Sequence, residues 1–184
     1  MDCSEKFVSD IIKVYPIPSG RIIYQVPVNV RTTDIAIAQM QLEEGQTLTM
    51  SALKTFLASQ VVFTTTNEND AYDIPTEEGI SVSEKSERDV SGYQKSISMQ
   101  FTIHYYNDSL SFLRVEHETV EKMERAGHDF ILERLDGSLS LARYFSPAQK
   151  VTHSINESDG EHRCTVNIEM KNVTGIQNII ESTT

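Results

Sequence analysis

Tyr93-Gln94-Lys95-Ser96-Ile97-Ser98-Met99-Gln100-Phe101-Thr102-Ile103-His104-Tyr105 is the stretch on which the fold turns. Tyr93, Ile97, Met99, Phe101, Ile103 and Tyr105 alternate with Ser96, Ser98, Gln100, Thr102 and His104, and only Lys95 interrupts the apolar set. A period of two held over this length predicts a β-strand with one buried and one wet face. At about 3.3 Å per residue such a strand spans roughly 43 Å, whereas a compact chain of this size is roughly 40 Å across. One strand therefore crosses the whole domain. Its wet face holds small hydroxyl and amide groups in place of the lysines that commonly guard an exposed sheet, which makes that face the first candidate for function.

Downstream, Asn107-Asp108-Ser109 offers a helix N-cap and Gly127 a C′ residue. Between them Phe112, Val115, Thr119, Val120, Met123 and Ala126 form one stripe at 100° per residue, with Arg114, His117, Glu118, Glu121, Lys122 and Arg125 facing away. The helix should pack by one side against a sheet. Phe130 to Phe145 reads as a hairpin. Asp136-Gly137 is the two-residue type I′ signal, and that register pairs Leu132 with Leu141 on a face shared with Phe130 and Leu139. Val151 to Ile155 and Arg163 to Lys171 form a last pair across an Asn156 to Glu161 loop, with Cys164, Val166, Ile168 and Met170 pointing inward. Residues 173–184 are expected to be a C-terminal tail in which Ile176, Ile179 and Ile180 are free to make contacts.

Upstream the pattern is less regular. Phe7 to Tyr15 has helical spacing that stops before Pro16, compatible with a short helix or an extended arm, and Pro16 to Gly20 reads as a turn. Arg21 to Val30 suggests an edge strand, because Pro27 cannot donate to a ladder. Asp34 to Leu42 is a strand candidate, Ser51 to Ser59 a short helix with Ser51 as N-cap, and Val61 to Thr66 a strand. Asn67 to Gly92 carries eight acidic residues against Lys85 and Arg88, a net −6 out of −11 for the chain. It reads as a long acidic loop, and loops of that length are either flexible or functional. Tyr72, Ile74, Ile80 and Val82 could anchor it on a neighbouring subunit, with Glu77 and Glu78 beside them.

The chain has 184 residues, enough for one core. An excess of 27 acidic over 16 basic residues argues against binding nucleic acid by counterion release. The first residues lack a basic segment followed by an apolar one, and no apolar run is long enough to span a bilayer, so synthesis in the cytoplasm and no membrane partner are expected. Cys3 and Cys164 match no zinc motif, and Cys164 falls on the apolar side of its strand as a buried thiol. No GxGxxG, P-loop, GxSxG or HExxH occurs, and in His117-Glu118-Thr119-Val120-Glu121 the last metalloprotease ligand is missing. His104, His128, His153 and His162 are scattered. The expectation is a chain that is not an enzyme and uses no metal or other cofactor.

The order from Tyr93 onward, a long amphipathic strand, a one-sided helix, a DG hairpin and a final strand pair, resembles the tail tube fold of bacteriophage tails and of the type VI secretion tube. The resemblance covers about Tyr93 to Asn172. It implies an α+β, mostly β chain, an antiparallel β-sandwich or half-barrel with one main flanking helix. It further implies a self-assembling ring, hexameric in that family, with Ser96, Ser98, Gln100, Thr102 and His104 lining a channel. In that picture the Tyr93 to Tyr105 strand extends sheet pairing between subunits, and the 67–92 loop reaches the next ring. The partners would be further copies and other tail or connector proteins, DNA would be a passing and non-adhering cargo, and the working location a virion or tail-like particle. The first half does not match a minimal tube subunit, which keeps a tail terminator, a hub component or another connector open. The alternative class is a monomeric β-sandwich that binds a protein or carbohydrate partner. The chain has no Trp, and Tyr72 and Tyr93 are the only rings in or bordering the acidic segment, which counts against sugar.

Overall fold

The computed structural model describes residues 11–28, 30–31, 33–65, 73–106, 110–158 and 161–181; the side chains at 73, 75, 77–78, 104–106, 110–117, 157–158 and 161–162 lie outside that description. The chain is α+β and mostly β. In order, it forms β1 (Ile11–Pro18), β2 (Asp34–Ala36), a 3-10 turn (Ile37–Gln39), α1 (Met50–Ala58), β3 (Val62–Thr64), β4 (Asp73–Asp89), β5 (Gly92–Tyr106), α2 (Leu110–Arg125), β6 (His128–Arg134), β7 (Leu139–Ala142), β8 (Gln149–Ser158), β9 (Glu161–Asn172) and β10 (Ile176–Ile180).

The strands follow one another in the order β2-β10-β7-β6-β1-β3-β4-β5-β9-β8. β10–β2 and β3–β4 are parallel, and the other ladders are antiparallel. β4 belongs to both halves: Asp73 to Pro75 pair with β3, the register shifts between Thr76 and Ile80, and Ile80 to Asp89 pair with β5. Bulges of this kind bend a strand. The two halves meet around Val14, Phe63, Phe130 and Leu132 from one and Ile97, Met99, Phe101, Ile103, Val166 and Ile168 from the other. The rings of Phe63 and Phe101 lie 4.6 Å apart between centroids, tilted by 35°. Val120 and Met123 of α2 complete this core. A second core covers the opposite face of the β1-β6-β7-β10 half, where Tyr15, Ile17, Ile131, Leu139 and Leu141 meet Ile22, Tyr24, Met40, Leu53 and Leu57.

That second core explains most departures from the sequence expectations. A strand covered on both faces reads as an apolar run and loses its alternation. Val14 faces one core while Tyr15 and Ile17 face the other, so Ile11–Pro18, expected as helix or arm and the start of a turn, is strand β1, the turn is confined to Ser19 and Gly20, and residues 7–10 lie outside the described residues. Its Pro16 and Pro18 are tolerated because β3 pairs only with Lys13 and Val14, leaving the rest of β1 with the single ladder to β6. The 173–184 tail contains β10, seated between β7 and β2. In the β6–β7 hairpin Leu132 pairs with Ser140 rather than Leu141. Hydrogen bonds from Gly137 N to Arg134 O and from Arg134 N to Ser138 O, each 2.9 Å, close a three-residue loop in place of the two-residue turn. The one-residue shift sends Leu139 and Leu141 to the second core and leaves Phe130 and Leu132 in the first.

Smaller corrections follow the same logic. Arg21 to Val30 is irregular, touching Gln41 through one bridge at Ile23. The Asp34 strand gives way to the 3-10 turn after Ala36. The short helix is capped by Thr49, whose hydroxyl accepts from Ala52 N at 3.1 Å, so Ser51 is not the cap. The Val61 to Thr66 strand is Val62–Thr64, and β8 and β9 extend through most of the loop expected between them. Gly127 is not left-handed; a Cβ there would collide with the Tyr144 ring. Ala126 is exposed and leaves the helix stripe, and the expected N-cap at 107–109 lies outside the described residues.

Phe101→Ala removes a ring that is 1% exposed and joins both halves. It should lower unfolding stability by about 3–5 kcal/mol, read as a shift in the urea midpoint.

Candidate assembly face

The largest correction concerns residues 67–92. Asp73 to Asp89 are not a loop but β4, hydrogen-bonded to β5 along its length beyond the bulge. Ile80 and Val82 alternate with Ser81 and Ser83, a signal hidden by the surrounding acids. Ile74, Ile80 and Val82 are core residues, at most 7% exposed, and are unavailable as anchors for a neighbour. Glu77 and Glu78 fall at the bulge with side chains outside the described set, and Tyr72 lies outside it altogether.

The far side of the β4-β5-β9-β8 half faces away from both cores. The ladders set its side chains in rows across the strands: Lys85, Ser96 and Lys171; Ser83, Ser98, Glu169 and Lys150; Ser81, Gln100, Asn167 and Thr152; Thr102, Thr165 and Ser154. Ser98 and Gln100 are exposed and Ser96 is half-buried. Thr102 is 7% exposed, with its hydroxyl 3.3 Å from that of Thr165, so it stiffens the face more than it lines it. His104 continues the row on β5, its side chain outside the described set. Ser81, Ser83, Ser98, Gln100, Asn167 and Glu169 enclose a shallow depression of about 210 Å3. Sequence reasoning missed Ser81 and Ser83 because β4 was read as a loop; the inward set on β9 already implied Thr165, Asn167 and Glu169.

Among the described side chains, charge on this face is close to balance. Lys85, Lys150, Arg163 and Lys171 stand against Glu87, Asp89 and Glu169, and Lys85 bonds Glu87 at 3.4 Å. The acidity of the chain is not concentrated among the described side chains of this face.

β5 cannot be the strand that pairs with a neighbour, since β4 and β9 fill both its ladders. On this half of the sheet, the open edges among the described residues are that of β8, which pairs only with β9, and that of β4 from Ile80 to Asp89, which pairs only with β5; β2 at the far margin also pairs on one side only. Beyond the Lys95–Asn172 pair the β4–β5 hairpin continues without β9, and its tip carries a fully exposed Val90 and a 54% exposed Tyr93.

The perturbed titratable groups, the kind that mark catalytic centres, include a cluster around Asp129. Burial raises the Asp129 carboxyl to about 6, opposed by the N–H of Tyr144, which donates to Oδ1 at 2.7 Å, and by Arg143. Burial and Asp129 also raise Tyr24, whose buried hydroxyl has no partner among the described atoms. The Arg143 guanidinium lies 5.7 Å from the Tyr24 ring centroid and 5.5 Å from that of Phe145. This cluster joins the 22–24 segment to the ends of β6 and β7, away from the polar face. His153 pairs with Glu124 of α2 at 2.5 Å, and His128 Nδ1 lies 2.8 Å from Ala126 O. Among the described residues no three His, Cys, Asp or Glu side chains converge on a metal-sized site. No described helix is long and apolar enough to cross a membrane.

Comparison with protein-family models, with curated proteins and with solved structures yields no match.

A carboxyl raised on folding stabilises the fold below its unfolded value, near 4, and that contribution is lost as pH rises through about 6. Asp129→Asn should therefore gain stability over the parent as pH rises from 4 to 8, by up to about 3 kcal/mol. Urea unfolding at several pH values reads this gain; parallel curves would refute it.

Proposed function

We propose that this chain is a self-assembling structural subunit of a phage or phage-derived tail, a tube or connector ring component whose β4-β5-β9-β8 face lines a passage. The observation that carries the reading is the pair of open edges on either side of one polar, near-neutral face. β8 and the open part of β4 are each ten residues long. Successive antiparallel ladders make β8 run opposite to β4, so β8 of one copy can pair antiparallel with β4 of the next while the polar face stays on one side. Rotation of that contact into a ring consumes every such edge. The hexameric ring of the tail tube family would then present a closed barrel of four strands per copy.

In this assembly the hairpin tip, with Val90 and Tyr93, meets the neighbouring ring, and β5 supplies the centre of the wall without itself pairing between copies. Near-balanced charge gives DNA no cationic array on which to release counterions, so it passes without adhering. Chemistry is no part of the role, and other tail or connector proteins are the further partners. The chain would be made in the cytoplasm and work in the assembled particle.

A second reading, a monomeric β-sandwich that binds a protein or carbohydrate partner, is favoured by one observation. Lys85 and Lys150 sit on the two edge strands, where lysines discourage edge pairing.

Native mass measured over a wide concentration range, with negative-stain imaging, separates the two. Rings or tubes with a central hole are expected, and a monomer at every concentration would overturn the assembly. Ser154 and Ile155 are adjacent on β8, so one of them presents its N–H to the open edge. Of Ser154→Pro and Ile155→Pro, one should abolish assembly while leaving the monomer's circular dichroism unchanged.

A further inference from the structure

The chain leaves the four-stranded half through Asn172 and enters the other half at Ile176. The crossing is held by side chains from the base of the β4–β5 hairpin. Glu84 Oε2 accepts the N–H of Ile176 at 2.7 Å, while its Oε1 lies 3.1 Å from Lys95 Nζ. Both side chains are mostly covered, 16% and 18% exposed. Asn172 Oδ1 accepts from Gly175 N at 2.5 Å and Asn172 Nδ2 donates to Arg143 O at 3.3 Å. Gly175 has φ +64°, and a Cβ there would come 2.5 Å from Lys95 Cδ and 2.6 Å from Glu84 Oε2. Only glycine both takes that turn and clears the ion pair. Thr174 Oγ1 is buried in the same crossing with no hydrogen-bond partner among the described atoms.

What lies beyond the crossing depends on it. β10 is five residues long, and it is the only described ladder partner of β2. From these observations we infer that β10 is a strap, fastened by the Glu84–Lys95 pair and hinged at Gly175, which opens together with β2 as one unit while the β4-β5-β9-β8 half stays closed. The carboxylate acts by position: it takes a backbone N–H and a cation at once, and a charge-assisted bond of that kind is about twice as strong as a neutral one. Opening needs rupture of that bond and of two short ladders and the exposure of Ile35, Ile176 and Ile179, which are buried; this is a local part of the core, so the opening costs less than global unfolding. The strap ties the hairpin base to the opposite margin of the sheet, so the seating of β10 and the base of the tip are linked through one carboxylate.

Native-state amide exchange on the full chain tests this. In Glu84→Gln the amides of Ile176–Ile180 and Asp34–Ala36 should exchange faster together, on the order of tenfold to a hundredfold, with those of β5 and β9 unchanged. Lys95→Met should move the same amides in the same direction. Equal acceleration throughout the chain would mean general destabilisation, and unchanged rates at β10 and β2 would mean the pair fastens nothing; either result overturns the strap.

Discussion

β4 is shared by two half-sheets, and the rest of the fold hangs on how one strand can serve both. Its first residues pair parallel with β3, the register breaks between Thr76 and Ile80, and the remainder pairs antiparallel with β5. The break allows the second half to fold back on the first, so that Phe101 from β5 reaches Phe63 from β3. Without that return, the apolar sides of β5 and β9 would face water. Burying them offsets the backbone entropy of ordering so long a hairpin. The same bend leaves the hairpin's outer strand without a second partner, and this is the origin of the open edge.

The two halves have different surroundings, and the proposed function rests on the difference. The β1-β6-β7-β10 half is covered on both faces, by the sandwich core and by the layer that carries α1, and acts as scaffold. The β4-β5-β9-β8 half is covered on one face only, and its other face presents hydroxyls, amides and nearly balanced charge. A polar face flanked by two strands with open outer edges is hard to explain as packing, since edges invite unwanted pairing. On the proposed assembly it is the wall of a closed ring. On the proposed assembly, the lysines on the two edges would discourage pairing in the wrong register.

Legibility in the sequence follows the number of covered faces. β5 and β9, covered once, are legible in their inward residues Ile97, Met99, Phe101, Ile103, Cys164, Val166, Ile168 and Met170, although Tyr93 is exposed; of the α2 stripe, Val120 and Met123 are buried and Ala126 is not. β1, β6, β7 and β10, covered twice, lost their period of two; hence Val14 and Tyr15 looked helical, the β6–β7 register slipped by one, and Ile176, Ile179 and Ile180 looked like a tail. β4 failed for another reason. Composition dominated its reading, although Ile80-Ser81-Val82-Ser83 carries a strand period. Of the face, the β5 row was legible, but its neighbours on β4 and the identity of the open edges required the strand order, which a parallel β3–β4 pairing and a late-joining β10 conceal.

Amide exchange of the parent chain at low and at high concentration addresses the central claim most directly, because it reads the two edges themselves. Pairing of β8 with β4 between copies predicts that amides on alternate residues of Ile80–Asp89 and Gln149–Ser158 become protected as concentration rises, while β5 and β9 hold the same protection throughout. Edges that exchange equally fast at every concentration, or protection that appears only on the covered half, would contradict it.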